Sequence, residues 1–259
     1  MTEPHAACIM IARPFAHVPL SDFLEKPLSH AKFGVFKAGE TCENSLMALV
    51  VVGGHSRNVG KTSVVAGLIA ALREFNWTAL KITQFGHGIC SADGKPCDCD
   101  TGDDHFRALS EEKDLSGESD TSRFLVAGAK RSLWVRTKQG RLGDAMPDIE
   151  RKIAGAENVI MESNSVIRFL RPDLYLTVLD ADTEDFKDSA REFLPLADAV
   201  ILHQSNDRAK WKTVSMDALA GKPVFKIQPP PYVTEEIAAF VREKLVELPK
   251  SPQLSKNPN

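Results

Sequence analysis

The chain has 259 residues, 43% of them apolar and 26% charged, enough for one large domain or two small ones with a sizeable core. Its net charge of −3 argues against a protein that holds nucleic acid chiefly through phosphates. No stretch approaches the roughly 18 apolar residues of a membrane-spanning helix. The run Ala6–Ala12 is short and no cation precedes it, so no secretory signal is predicted. Five cysteines, three of them within the ten residues Cys90–Cys99, point away from a disulfide framework and toward a reducing, cytoplasmic setting.

Residues 1–46 carry Pro4, Pro14, Pro19 and Pro27 and no sustained period, which predicts an extension that is loosely ordered or packed on the main body. A domain is expected over 47–249, and Lys250–Asn259 reads as a polar, fraying tail. Within the domain, Leu46–Val52 is a buried-strand run and Thr62–Phe75 a helix. Ala79–Thr83 and Ser132–Arg136 are strands, and a helix ends near Glu150 before the strand Asn158–Met161. Leu174–Leu179, Ala199–Leu202 and Pro223–Ile227 are further apolar runs, with helical patterns over Glu184–Phe193 and Thr234–Leu248. Apolar strands that do not alternate, separated by helices, predict an α/β fold with a doubly wound, mostly parallel sheet. Such sheets bind ligands beyond the carboxyl ends of their strands.

The first strand runs into Gly53-Gly54-His55-Ser56-Arg57-Asn58-Val59-Gly60-Lys61-Thr62-Ser63 and then a helix. The usual phosphate loop has four residues between its glycines; here His55 stands at the first glycine position and Gly54 lies one residue earlier. The Gly60-Lys61-Thr62 ending is intact. Main-chain N–H groups from Gly54 to Ser63 are expected to wrap phosphate oxygens at the positive end of the helix. Lys61 would reach the β and γ phosphates, and the Thr62 hydroxyl would ligate Mg²⁺. Otherwise Gly-Lys-Thr merely starts a helix.

The segment resembles the SIMIBI branch of phosphate-loop NTPases, which includes dethiobiotin synthetase, cobyrinate amidases, nickel-insertion GTPases and MobB-like proteins of molybdopterin-guanine dinucleotide biosynthesis. The five residues between Gly54 and Gly60 resemble the synthetase form. Asp120-Thr121-Ser122-Arg123, followed by Ala127-Gly128-Ala129, resembles a MobB segment. The resemblance implies a phosphate-facing role for Lys81 and an Mg²⁺-holding role for Glu162. Where relatives often have Glu-Gly, this chain has Glu162-Ser163-Asn164-Ser165. The Asn-Lys-x-Asp signature for guanine is missing; His203-Gln204-Ser205-Asn206-Asp207 stands in its place, with Gln204 and Asn206 as candidates for contacting a purine of either kind. Gln228-Pro229-Pro230-Pro231 resembles a base-flanking loop, or is a plain turn.

Each candidate also has a plainer structural role. Glu162 is the first choice for a metal or water-positioning carboxylate, otherwise a cap at a strand end. Asp120 is either a site acid or the N-cap of the next helix. Asp180 ends a strand as NTPase acids do, yet Asp182 and Thr183 beside it suggest a helix start. Arg136, Lys138 and Arg141 would meet an anionic substrate or form a solvated turn. His87, Cys90, Cys97 and Cys99, within the loop 86–105, form a ligand set suited to Zn²⁺ or an iron–sulfur cluster, with His105 or an Asp as a substitute; otherwise they are reduced loop thiols. His87 also has a metal-free counterpart in MobB-like proteins. Cys8 and Cys42 lie far off in sequence.

The expected activity is Mg²⁺-dependent binding and slow hydrolysis of GTP or ATP. The expected setting is a MobB-like accessory role in molybdenum-cofactor or related cofactor maturation, alongside a partner protein. The rivals are a metallochaperone GTPase, an ATP-dependent ligase or kinase, and a nucleotide-gated metal or redox sensor without turnover. The resemblance also implies a homodimer. No nucleic-acid or membrane partner is expected.

Overall fold

A computed structural model describes residues 47–85, 107–204 and 209–248. Eight strands lie in the order β3-β4-β2-β5-β1-β6-β7-β8. They are β1 (Ala48–Gly54), β2 (Trp77–Phe85), β3 (Arg107–Glu111), β4 (Arg131–Lys138), β5 (Asn158–Glu162), β6 (Leu174–Asp180), β7 (Ala199–His203) and β8 (Val224–Ile227). All pairings are parallel except β3 with β4. The sheet is the doubly wound, mostly parallel one that the apolar runs imply. The addition is β3, an antiparallel edge strand whose terminal Arg107 and Glu111 leave no apolar run to mark it.

Among the described residues five helices cover the sheet: α1 (Lys61–Ala71), α2 (Asp120–Ala127), α3 (Leu142–Ile153), α4 (Asp188–Phe193) and α5 (Glu235–Val246). Successive residues of β1 point to opposite faces, so Val50 and Val52 pack with Val64 and Leu68 of α1, Phe124 of α2 and Val241 of α5. Val51 instead packs with Leu142 and Ile149 of α3. Burial on both faces explains why the strands read as unbroken apolar runs. Two helices are shorter than their sequence patterns. The first ends at Ala71 and continues as a 3-10 turn over Arg73–Phe75. In the other, residues 184–187 are non-helical and α4 starts at Asp188, because residues 180–187 bind other parts of the chain. No helix among the described residues is long and apolar enough to cross a membrane.

Strand register positions the site. Glu162 at the end of β5 lies level with Val52 of β1 on one side and Lys81 of β2 on the other. Three central strands therefore deliver a loop, a lysine and a carboxylate to the same edge.

Candidate functional site

Helix α1 begins without the usual help. Its N-cap, Gly60, has φ 88° and makes no side-chain cap, and no acid lies in the first turn. The contrast with α2 and α5 is direct: Ser119 caps the former ahead of Asp120, and Thr234 caps the latter ahead of Glu235 and Glu236. An uncapped start leaves main-chain donors and the positive end of the helix dipole directed at the loop. Asn58 is also left-handed, at φ 59°, and two such turns in one short loop curve successive N–H groups toward one side. Val59 between them is fully buried and anchors the loop to the core.

Gly60 is constrained twice. Its backbone lies in the left-handed region, and a Cβ there would sit 2.2 Å from the Tyr232 ring. At the other end of the loop, a Cβ on Gly53 would lie 2.2 Å from Asn164 Oδ1. Asn164 holds the next residue with both halves of its amide. Oδ1 accepts the Gly54 N–H at 2.8 Å, and Nδ2 donates to the Gly54 carbonyl at 2.8 Å. Asn164, two residues after Glu162 in the segment that departs from the family's Glu-Gly, is thus a clamp on the loop.

Around the loop, side chains from four elements meet. The Thr62 hydroxyl donates to Glu162 Oε2 at 2.8 Å, and Lys81 Nζ donates to Thr62 Oγ1 at 3.2 Å and to Glu162 Oε1. Lys81 also pairs with Asp120 at 2.9 Å. Arg123, one turn along α2, donates to Ser63 Oγ at 3.0 Å. Glu162 is buried, whereas Asp120 is half exposed at the rim. Ser119, not Asp120, caps α2. Lys61 Nζ donates to the Ser56 carbonyl at 2.5 Å. Burial pushes the Lys61 ammonium down to about 8, with Lys187 and Lys81 adding repulsion and Glu162 opposing it.

Hard oxygens from one hydroxyl and one carboxylate, already in contact, suit Mg²⁺, which takes few protein ligands and shares the rest with water and phosphate. Thr62 and Glu162 are therefore the residues that would hold it. Among the described residues no group of three His, Cys, Asp or Glu could hold a metal. His87, Cys90, Cys97, Cys99 and His105 lie outside the described residues, as do Cys8, Cys42 and Asn206. Gln204 is exposed at the end of β7, its N–H donating to the Ile227 carbonyl at 2.7 Å.

Two candidate acid and base groups have local uses instead. The Asp180 carboxylate accepts the Thr183 hydroxyl at 2.7 Å and the Asp182 N–H at 3.0 Å, forming a turn. The trio of cations Arg136, Lys138 and Arg141 is dispersed: Arg136, within β4, is buried over the Trp134 ring at 4.3 Å, Lys138 at the end of β4 is exposed, and Arg141 beyond it pairs with Asp144.

Strand, loop and helix, set in a doubly wound sheet, give the phosphate-loop NTPase architecture. No family model matches the chain, and no curated protein matches it. Among solved structures, HypB from Helicobacter pylori in complex with nickel is similar at 16% identity and a TM-score of 0.43, covering 77% of this chain and 88% of that one. The hydrogenase maturation factor HypB from Archaeoglobus fulgidus gives 13% and 0.45, covering 78% and 91%. LpxK from Aquifex aeolicus in complex with ATP gives 19% and 0.40, covering 70% of this chain and 54% of that one. At these values no ligand or activity carries over from them to this chain.

Proposed function

We propose that this protein binds a nucleoside triphosphate with Mg²⁺ at the loop 54–63 and hydrolyses its terminal phosphoanhydride. The observation that carries this reading is the start of α1, uncapped and free of acids, with Lys61 and Lys81 beside it. In hydrolysis, water oxygen bonds to the γ-phosphorus while the bridging P–O bond breaks, releasing a nucleoside diphosphate and inorganic phosphate. Negative charge builds on the bridging and terminal oxygens, and fixed ammonium groups and main-chain donors stabilise it without reorganising. Bound Mg²⁺ supplies further charge neutralisation. Glu162, fixed by Thr62 and Lys81, orients the polar groups around it.

The finer reading is a MobB-like accessory role in molybdenum-cofactor or related cofactor maturation, with a purine triphosphate as ligand. It rests on the segment 120–129: Asp120 reaches Lys81, and Gly128 in the left-handed conformation ends α2 and turns the chain into β4. A metallochaperone role would depend on the Cys/His loop.

Calorimetric titration with the Mg²⁺ complexes of ATP and GTP tests the reading. Lys61→Ala is expected to abolish triphosphate binding; unchanged affinity would refute the site. The pH dependence has a definite sign. A bound triphosphate favours the charged form of Lys61, so affinity should fall as pH rises through about 8.

A further inference from the structure

The side chain that bridges Thr62 and Glu162 is itself a cation. Lys81 and Glu162 are register partners on neighbouring parallel strands, so their side chains leave the same face of the sheet at the same level. Glu162 is buried, and a buried carboxylate needs compensation. Both of its oxygens are taken: Oε2 accepts the Thr62 hydroxyl at 2.8 Å, and Oε1 accepts the Lys81 ammonium. The Thr62 hydroxyl gives its proton to that bond and presents its lone pairs, to which Lys81 Nζ donates at 3.2 Å. The ammonium therefore spans the two side chains that would hold Mg²⁺, and it draws on the oxygen electrons that a divalent ion needs.

An ion entering there must take those electrons from the ammonium, and two cations side by side in a partly buried site repel. Lys81 has a third partner that lets it give way. Asp120 Oδ2, at the start of α2, lies 2.9 Å from Nζ. Asp120 is half exposed at the rim, where it also pairs with Arg123 at 3.9 Å. Held at three acceptors, the ammonium can release two of them and keep the third.

Resting on the Mg²⁺-nucleotide reading above, we propose that Lys81 is a built-in stand-in for the divalent cation. In the nucleotide-free protein its ammonium occupies the metal's place between Thr62 and Glu162, and it withdraws onto Asp120 when the ion enters with its nucleotide. Lys81 is then a specificity-determining residue: it makes the protein refuse a free divalent ion and accept one that arrives with phosphates, whose oxygens give the displaced ammonium a second anionic neighbour. Asp120 keeps the charge beside the cradle, where phosphoryl transfer uses it.

The test is titration of the nucleotide-free full chain with Mn²⁺, which takes the same hard oxygen ligands as Mg²⁺ and whose free form is read by its EPR signal. The proteins are wild type, Lys81→Met, Lys81→Gln, Lys61→Ala and the double variant Lys81→Met with Glu162→Gln, each also melted thermally. Lys81→Met keeps the aliphatic stem and removes the charge. It should tighten Mn²⁺ binding about ten- to a hundredfold over wild type, the worth of a charge-assisted contact that no longer has to be given up. Mg²⁺ in excess should displace that Mn²⁺, and the gain should vanish in the double variant, which ties it to Glu162. Lys81→Gln should show the same gain and decides the matter if the Met variant does not fold. Lys61→Ala removes a nearby ammonium that donates to the Ser56 carbonyl, so it should gain far less. Equal gains for Lys61→Ala and Lys81→Met would reveal general charge repulsion; that result, a gain that survives in the double variant, or no gain at all would overturn the proposal. None of these titrations contains nucleotide, so a wild type that fails to bind Mg²⁺-triphosphate removes the nucleotide reading and is not mistaken for a failure of Lys81.

Discussion

At position 55 one imidazole does what the motif's glycine does not. Kept neutral by burial, its pKa lies below the ordinary 6.5 despite the raising effects of the Asp185 carbonyl, Asp180 and the Asp185 carboxylate; Lys61 adds to the lowering. Protonation would place an N–H on Nε2 against the Asp180 N–H that it accepts. The linkage runs one way: the unfolded chain takes up the proton first, so His55's contribution is complete above about 6.5 and declines as pH falls below it. Urea unfolding of wild type between pH 7 and 5 should show a falling midpoint, and His55→Gln, which cannot titrate there, should flatten that slope. An unaltered slope would mean that other groups carry it. The oddity of His55 was legible in the sequence, but its reason was not, because its partner Asp185 lies 130 positions away. Lys81 and Glu162 were assigned to the site by the resemblance alone, whereas the register of β2 and β5 sets them side by side and the start of α2 brings Asp120 to Lys81.

Elements that sequence patterns located well are those buried on both faces, such as β1, β5 and β6, where the apolar run is itself the signal. Those that escaped follow other rules. Edge strand β3 is only half covered and carries Arg107 and Glu111, so no run announces it. The stretch ahead of α4 has helical composition, yet its Asp185 carbonyl and Lys187 N–H bind His55. The turn after β5 shows an element acting through a single residue. Asn164 satisfies both main-chain groups of Gly54, so β5 and the loop move as one piece. Asn164→Ala leaves a partly buried N–H and carbonyl without these partners, and it should cost about 2–3 kcal/mol in urea unfolding. It should also weaken triphosphate binding, since the loop's first glycine is no longer held. A variant with wild-type stability would show that water replaces the amide.

On the scale of the whole molecule, the sheet is a delivery system. A doubly wound, mostly parallel sheet could be inferred from alternating strands and helices; the neighbours, with β1 flanked by β5 and β6, could not, because strand order depends on crossovers that leave no local mark. If nucleotide binds the folded chain alone, it must stabilise the entire domain. Mg²⁺-triphosphate at about a hundred times its Kd should add about 2.7 kcal/mol and raise Tm by roughly 5–10 °C. Lys61→Ala should melt at a temperature that nucleotide does not shift. A wild type equally insensitive would argue against a ligand at the loop.

The ring of Tyr232 rests where a side chain on Gly60 would go. It follows Gln228-Pro229-Pro230-Pro231 and precedes α5, 172 positions along the chain from Gly60. During synthesis, the loop and α1 leave the ribosome long before this aromatic lid exists. The wall around the cradle is thus finished only after β8 has been made, and a nascent chain halted before residue 232 carries the motif without its complete pocket.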